Sequence, residues 1–310
     1  MPRYHVQRSI EINLDSATVF DTIADYGTWT KLSPWLCAEP TANVTISSDG
    51  QSIGSVYAWQ GEVVGHGEIE HKQLEPGRRI DDEIRFLKPF KSVSQVLFEI
   101  EPTTNGSKVT WHMIGSLPWF MFWMTSMMEA WIGMDYERGL KMLKELLETG
   151  TILSETNVRG IQSVGPMRMA GVRASAHMSN VGPSMHAAVE SATKLMQQNN
   201  LPTDGQMISV CHHLDMKKQI LDFTSGFVIP AATGSLPSGL SEWSLPETKA
   251  FCVEHVGSYQ NLGNAWSAAN QHTRYKKLKQ SKAGAFELYI NNPENTAVED
   301  LRTEIYLPLK

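Results

Sequence analysis

One acidic residue stands where an acid is costly. The run Ala285, Phe286, Glu287, Leu288, Tyr289, Ile290 has the make-up of a strand that packs into a core, apart from its carboxylate. Alternation sends Phe286, Leu288 and Ile290 to one face and Ala285, Glu287 and Tyr289 to the other. Facing water, Glu287 and Tyr289 are an ordinary polar face. Facing inward, the carboxylate needs a cation or hydrogen-bond donors, because an unmatched buried charge is heavily penalised. Spacing alone leaves both arrangements open.

Other residue types that could do chemistry are more scattered. His255-Val-Gly-Ser-Tyr259 leads into a helical stretch that carries Trp266. His255 can simply end a strand with a satisfied hydrogen bond, Tyr259 can pack at the helix entry, and Trp266 can be core or pocket wall. His66, His71 and His112 fall along strand-like runs, and the odd spacing of His66 and His71 puts them on opposite faces, so no general base is singled out. His212 and His213 are adjacent and diverge. No HExxH, CxxC or HxH with a nearby carboxylate occurs, so no metal is expected. No GxGxxG, GxxxxGK[ST] or GxSxG occurs either, so no cofactor, nucleotide or nucleophile elbow is expected.

The 310 residues suggest two domains, and 41% hydrophobic with 19% charged residues suits a chain with a sizeable core. The net charge of -6 is uneven: residues 1–150 hold 13 Lys+Arg against 20 Asp+Glu, and residues 151–310 hold 14 against 13. Neither half has a basic stripe, which argues against direct contact with nucleic acid. Cys37, Cys211 and Cys252 are widely spaced, as thiols in a reducing compartment are, and Met-Pro-Arg-Tyr-His-Val lacks a signal pattern. A cytoplasmic protein is the expectation. Leu117 to Gly133 is strongly apolar but short of the roughly 20 residues a spanning helix needs, and Glu129 interrupts it, so no membrane span is expected.

The elements that must position these groups divide at about residue 150. The first half begins with an alternating strand, Arg3 to Ile12, and a helix capped by Asp15 or Ser16 with Val19, Phe20 and Ile23 inward. A short Trp29–Trp35 segment follows. Six strand-like runs come next (44–47, 53–60, 63–74, 79–86, 92–101 and 108–114), separated by Asp49-Gly50, Gly61, Pro76-Gly77, Lys88-Pro89 and Asn105-Gly106. Phe120 to Glu148 can form one long helix. This order resembles the SRPBCC or START-like helix-grip fold of the polyketide cyclase/dehydrase type over residues 1–150. The resemblance implies a bent antiparallel sheet wrapped around the last helix, with a deep apolar cavity between them. Trp29, Trp35, Trp59, Trp111, Phe86 and the Met-rich helix either line that cavity or fill it as core.

Residues 151–160 are polar and have the character of a linker. Beyond them come a strand (168–177), a helix (184–198), strands (206–212 and 223–229), a Gly/Ser/Pro loop (231–241), a strand (248–255), a helix (262–278) and strands (285–290 and 302–307). A shift of 78 residues, the distance from Ser209 to Glu287, superposes the two sets of elements without gaps, although identity in that register is no better than chance.

The His255-x-Gly-x-Tyr259 turn, the helix with Trp266, the Phe286–Ile290 strand, Asn292-Pro293 and the terminal Thr303-Glu-Ile-Tyr306-Leu-Pro308 together resemble the GyrI-like small-molecule-binding family. This is the effector-binding domain of AraC-type and MerR-type regulators. Over residues 161–310 the resemblance implies a tandem pair of strand-helix-strand-strand modules, so the whole chain is expected to be α+β. It implies that Glu287 lies at the bottom of a cleft. Ringed by Tyr259, Trp266 and Tyr289, the carboxylate would hold a soft organic cation, each aromatic face contributing roughly 0.5–2 kcal/mol. In hydrolytic relatives a glutamate and a tyrosine take part in catalysis. Glu287 would then be the acid/base, with Tyr259 or Tyr289 as donor. Where the regulators place a DNA-binding module, this chain has an acidic helix-grip half, so direct control of transcription is not expected. The first expectation is therefore binding of lipophilic, cationic or aromatic small molecules for sensing or sequestration. The alternative is hydrolysis of reactive or xenobiotic compounds. A protein partner, inhibited by binding, is a third reading.

Overall fold

The computed structural model describes residues 2–310. The chain divides into two compact units, one running to Leu153 and including Tyr259–Asn264, the other comprising Ser154–Ser258 and Ala265–Lys310.

The N-terminal unit is built on β1 (Arg3–Ile12), whose alternate side chains Tyr4 and Val6 are buried. Helix α1 (Ser16–Ala24) starts where Asp15 Oδ1 accepts the amides of Ala17 and Thr18 at 3.0 and 2.9 Å. It buries Val19, Phe20, Ile23 and Ala24, and α2 (Tyr26–Leu32) follows. Strands β2 (Asn43–Ile46), β3 (Val56–Gln60), β4 (His66–Glu75), β5 (Arg79–Lys88), β6 (Ser92–Thr103) and β7 (Gly106–Ser116) then form an antiparallel meander. β1 closes beside β7, giving the order β1-β7-β6-β5-β4-β3-β2.

The closing helix α3 spans Thr125–Thr149, shorter than the expected run from Phe120. Residues Trp119–Met124 are instead a 3-10 helix with a kink at Met121. Trp119, Phe120, Phe122 and Trp123 are exposed, and Pro118 starts the segment outside helical backbone geometry. Gly150, at φ +81°, ends α3 in the left-handed conformation that a side chain disfavours.

Side chains fill part of the space between the sheet and α3 where a deep cavity is implied for this half. Trp111 stacks on Tyr136 of α3 at 3.9 Å between centroids and on Phe98 at 4.9 Å. α3 comes so close that a Cβ at Gly139 would lie 2.7 Å from the Trp111 ring. The void left among Ile23, Trp29, Leu32, Phe98, Trp111, Gly139 and Leu143 is about 10 Å³, no more than one water needs. Trp29 and Trp111 are core, whereas Trp35, Trp59 and Phe86 are partly buried against it. His71 points inward and His66 is only partly covered, as their spacing requires. His71 Nδ1 lies 2.6 Å from Asp82 Oδ1, and its Nε2 donates to Ala24 O at 2.9 Å.

The C-terminal unit opens on a strand. The stretch expected to be a linker, 151–160, is strand from Ser154 onward: β8 (Ser154–Val164) pairs along its length with β13 (Thr248–Gly257). Its polar residues lie on the outer strand of a sheet, where one side meets solvent, so composition gives a linker-like pattern. The remaining elements are β9 (Met167–His177), α4 (Val181–Gln198), β10 (Met207–Asp215), β11 (Ile220–Ile229), β12 (Ser241–Leu245), α5 (Leu262–Tyr275), β14 (Ala285–Tyr289) and β15 (Arg302–Pro308). β12 falls where the sequence pattern gives only the end of a loop. The sheet order is β12-β9-β11-β10-β14-β15-β13-β8. Each half has the same succession from the edge inward, so the two sets of elements related by the 78-residue shift meet at the middle pair, β10 and β14. There Ser209 faces Glu287 directly. The positions equated by sequence register are cross-strand neighbours.

One face of this sheet is a dry core of Met169, Ile208, Val210, Trp243, Phe286, Leu288 and Tyr306 with their neighbours. Helix α4 packs over β9 and β11 on the other face, where Ala188, Leu221 and Phe223 cluster.

Candidate functional site

Residue parity decides which way Glu287 faces. Phe286 and Leu288 enter the dry core, so Glu287 and Tyr289 must point to the opposite face. Helix α5 supplies Trp266 there, with Ala265, Ala268 and Ala269 small enough to be fully buried beside it. The carboxylate is 4% exposed. Trp266 Nε1 donates to Oε1 at 2.6 Å, and the Tyr289 hydroxyl donates to Oε2 at 2.6 Å. Each oxygen has one neutral donor. Among the described residues no Lys, Arg or His forms an ion pair with Glu287, and that is the unusual property of the site.

Neighbouring strands extend the polar row. Ser209 on β10 pairs with Glu287 on one side and Ser225 of β11 on the other. Its Oγ lies 2.7 Å from Ser225 Oγ and 3.4 Å from the Tyr289 oxygen. Ser209 and Ser225 are buried. Ser225, Ser209 and Tyr289 thus form a short row of hydroxyls that ends at the Glu287 carboxylate.

Burial pushes the Glu287 pKa above the ordinary 4.5, against the Tyr289 and Trp266 hydrogen bonds, which pull it down. The Cys211 thiol is pushed well up, first by burial and then by the Glu287 charge. The two groups therefore share one low-dielectric environment. Such a carboxylate can bind a cation when ionised. When protonated it can donate a hydrogen bond, or its proton, to a neutral molecule.

The other residues marked by sequence lie as follows. Tyr259 stands in the 3-10 turn Tyr259–Asn261, in the segment that groups with the N-terminal unit, and the hydrogen bonds to Glu287 come from Trp266 and Tyr289. His255 is fully buried near the end of β13, with Nε2 donating to Ser258 O at 2.9 Å. His212 Nε2 bonds Thr224 Oγ1 at 2.7 Å. Among the described residues no group of three or more His, Cys, Asp or Glu side chains is placed to hold a metal ion, and no helix is long and apolar enough to cross a membrane. Ser225 carries no motif, and only its register beside Ser209 could have marked it.

Residues 3–148 match the family described as polyketide cyclase/dehydrase and lipid transport, and residues 161–310 match the GyrI-like small molecule binding domain. No curated protein matches the chain. Among solved structures, protein CV1439 from Chromobacterium violaceum is similar at 16% identity, covering 47% of this chain and 98% of its own, with a TM-score of 0.36. The C-terminal domain of EcmrR is similar at 17% identity, covering 51% of this chain and 99% of that domain, with a TM-score of 0.42. EcmrR in its complex with DNA gives the same identity and score, over 57% of this chain and 66% of its own.

Proposed function

From a chain that joins a polyketide cyclase/dehydrase-type domain to a GyrI-like small-molecule-binding domain, we infer that Glu287 is the counter-charge for a lipophilic, cationic ligand, which the protein senses or sequesters. The observation that carries this reading is a carboxylate 4% exposed that is held by two neutral donors and by no cation. A fold tolerates that arrangement only at a cost, and an incoming cation relieves it. Trp266 and Tyr289 are partly exposed while their polar atoms hold Glu287. They are the residue types on which an aromatic or quaternary cation packs.

The test is a calorimetric titration with tetraphenylphosphonium and with neutral triphenylphosphine oxide. Glu287→Gln keeps the shape and one acceptor. It should weaken the cation by roughly 30- to 100-fold, the loss of a desolvated charge interaction, and change the neutral compound less than about threefold. Equal affinities of the native protein and the variant for the cation would rule this reading out.

A second reading rests on the raised pKa together with the Tyr289 hydroxyl 2.6 Å away: a proton held at Glu287 could pass to a neutral electrophile during hydrolysis. Turnover of p-nitrophenyl esters that disappears in Glu287→Gln, with substrate binding intact, would favour it. Turnover retained in that variant would exclude it. On either reading we place the ligand in the C-terminal unit, and the acidic N-terminal half disfavours direct contact with nucleic acid.

A further inference from the structure

The N-terminal unit exposes an aromatic cluster that the proposed ligand site does not use. In the 3-10 helix before α3, Trp119, Phe120, Phe122 and Trp123 are 76%, 59%, 67% and 66% exposed. Strand register brings a second apolar tip to the same end of the sheet. Ser116, at the end of β7, pairs with Arg3, and Ile114 pairs with Gln95 near the start of β6. The β5–β6 turn, with Phe90 81% exposed, therefore lies on that rim beside the aromatic helix. Side chains of this size bury roughly 150–250 Å² each, so the four helix rings alone leave on the order of 500 Å² of apolar surface in water, as much as the largest patch on an ordinary monomer.

Charge says what covers it. The unit is acidic as a whole, yet the turn reads Leu87-Lys88-Pro89-Phe90-Lys91, residues 117–124 carry no charge, and Arg3 is exposed at the neighbouring strand end. Of the acids near this rim, Glu39 and Glu62 belong to the β3–β4 side, where Glu39 is engaged by the amides of residues 62–64, and Glu129 stands one turn into α3 behind the aromatic helix. Trp and Phe side chains flanked by Lys and Arg suit the boundary between lipid headgroups and acyl chains, and the cations add attraction to anionic lipid. The segment is too short to cross and is kinked at Met121, so it can only lie in the surface. We propose that this rim docks the protein on an anionic lipid bilayer through Trp119, Phe120, Phe122 and Trp123, with Lys88, Lys91 and Arg3 over the headgroups.

The test is co-sedimentation of the full chain with vesicles of phosphatidylcholine alone and of phosphatidylcholine with 30% phosphatidylglycerol. The native chain should partition onto the anionic vesicles, and 0.5 M NaCl should weaken that several-fold. Trp119→Ser with Trp123→Ser should reduce partition roughly tenfold or more. Lys88→Glu with Lys91→Glu should abolish the preference for anionic vesicles. All four positions are exposed, and unchanged melting of the variants verifies that folding is intact. Native chain left in the supernatant at millimolar anionic lipid would overturn the proposal, as would tryptophan variants that bind like the native chain. A self-associating chain in sedimentation velocity that these variants render monomeric, without vesicle binding, would assign the rim to a second copy instead.

Discussion

Glu254 and Glu287 lie in one sheet with β15 between their strands, and both are nearly absent from solvent, at 1% and 4%. Glu254 is met by two guanidinium groups. Arg302 Nε donates to Oε1 at 2.9 Å, Arg159 pairs with Oε2, and Asn157 Nδ2 adds a contact at 3.4 Å. Glu287 has an indole and a phenol. Burial acts on both carboxyls to raise their pKa. At Glu254 the arginines outweigh it and hold the group below 4.5, whereas at Glu287 burial prevails. The same residue type on two strands of one sheet thus becomes a neutralised structural acid in one place. In the other it is an acid held by two neutral donors, with no ion pair to a cationic side chain among the described residues. The comparison shows why burial alone does not mark a functional carboxylate; its partners do.

The largest effect should appear in the pH dependence of cation binding. Affinity for tetraphenylphosphonium should fall as pH drops through the raised Glu287 pKa, by up to about tenfold per pH unit, beginning above 4.5. Triphenylphosphine oxide should show no such slope. A flat profile for the cation would remove the distinction between the two acids.

Next comes stability. Glu254→Gln leaves Arg159 and Arg302 without their partner. Because both arginines are nearly half exposed, at 45% and 47%, we expect a loss of about 1–3 kcal/mol rather than the full penalty of a broken buried pair. Urea unfolding at pH 7 checks this. Glu287→Gln should cost almost nothing or stabilise slightly, since it removes an uncompensated charge while an amide can still satisfy Trp266 and Tyr289.

The two variants should also respond to acid with opposite signs. The Glu254 pKa is lowered by folding, so its contribution is present above 4.5 and is lost as pH falls below it. The Glu287 pKa is raised by folding, so its contribution is full below 4.5 and is lost as pH climbs through the folded value. The deficit of Glu254→Gln should therefore shrink on acidification, and any advantage of Glu287→Gln should be confined to higher pH. Melting curves between pH 3.5 and 8 would show a shared sign if the contrast were false.

The smallest effect should come from Tyr289→Phe. It removes one donor to Glu287 and should change cation affinity by about 3- to 10-fold, in line with a net hydrogen-bond worth of about 0.5–1.5 kcal/mol. It should move the pH midpoint upward, because the ionised carboxylate loses a stabilising contact. A downward shift would mean that Tyr289 acts through something other than its hydroxyl.

Much of the fold was legible in the sequence because period and turn chemistry are local. Asp15 announced a helix start and Asn105-Gly106 a hairpin, each through backbone constraints within a few residues. The errors fell where neighbours distant in sequence decide. Polar β8 is a strand because β13 offers it an edge, and residues 119–124 are 3-10 rather than α-helical at the start of a long apolar run. In the first half Trp111, Tyr136 and Phe98 stack as core, and a list of aromatic residues cannot say whether they line a space or fill it.

At Glu287 the sequence by itself determined a carboxylate, an alternation that pairs it with Tyr289, and a 78-residue register equating it with Ser209. Only the tertiary structure decided that its face turns inward under α5, that Trp266 and Tyr289 each occupy one oxygen, and that Arg159 and Arg302 meet Glu254 on the opposite face of the sheet. The reason is physical: a side chain's charge is local, but the energy of that charge depends on which groups the fold brings within hydrogen-bonding distance.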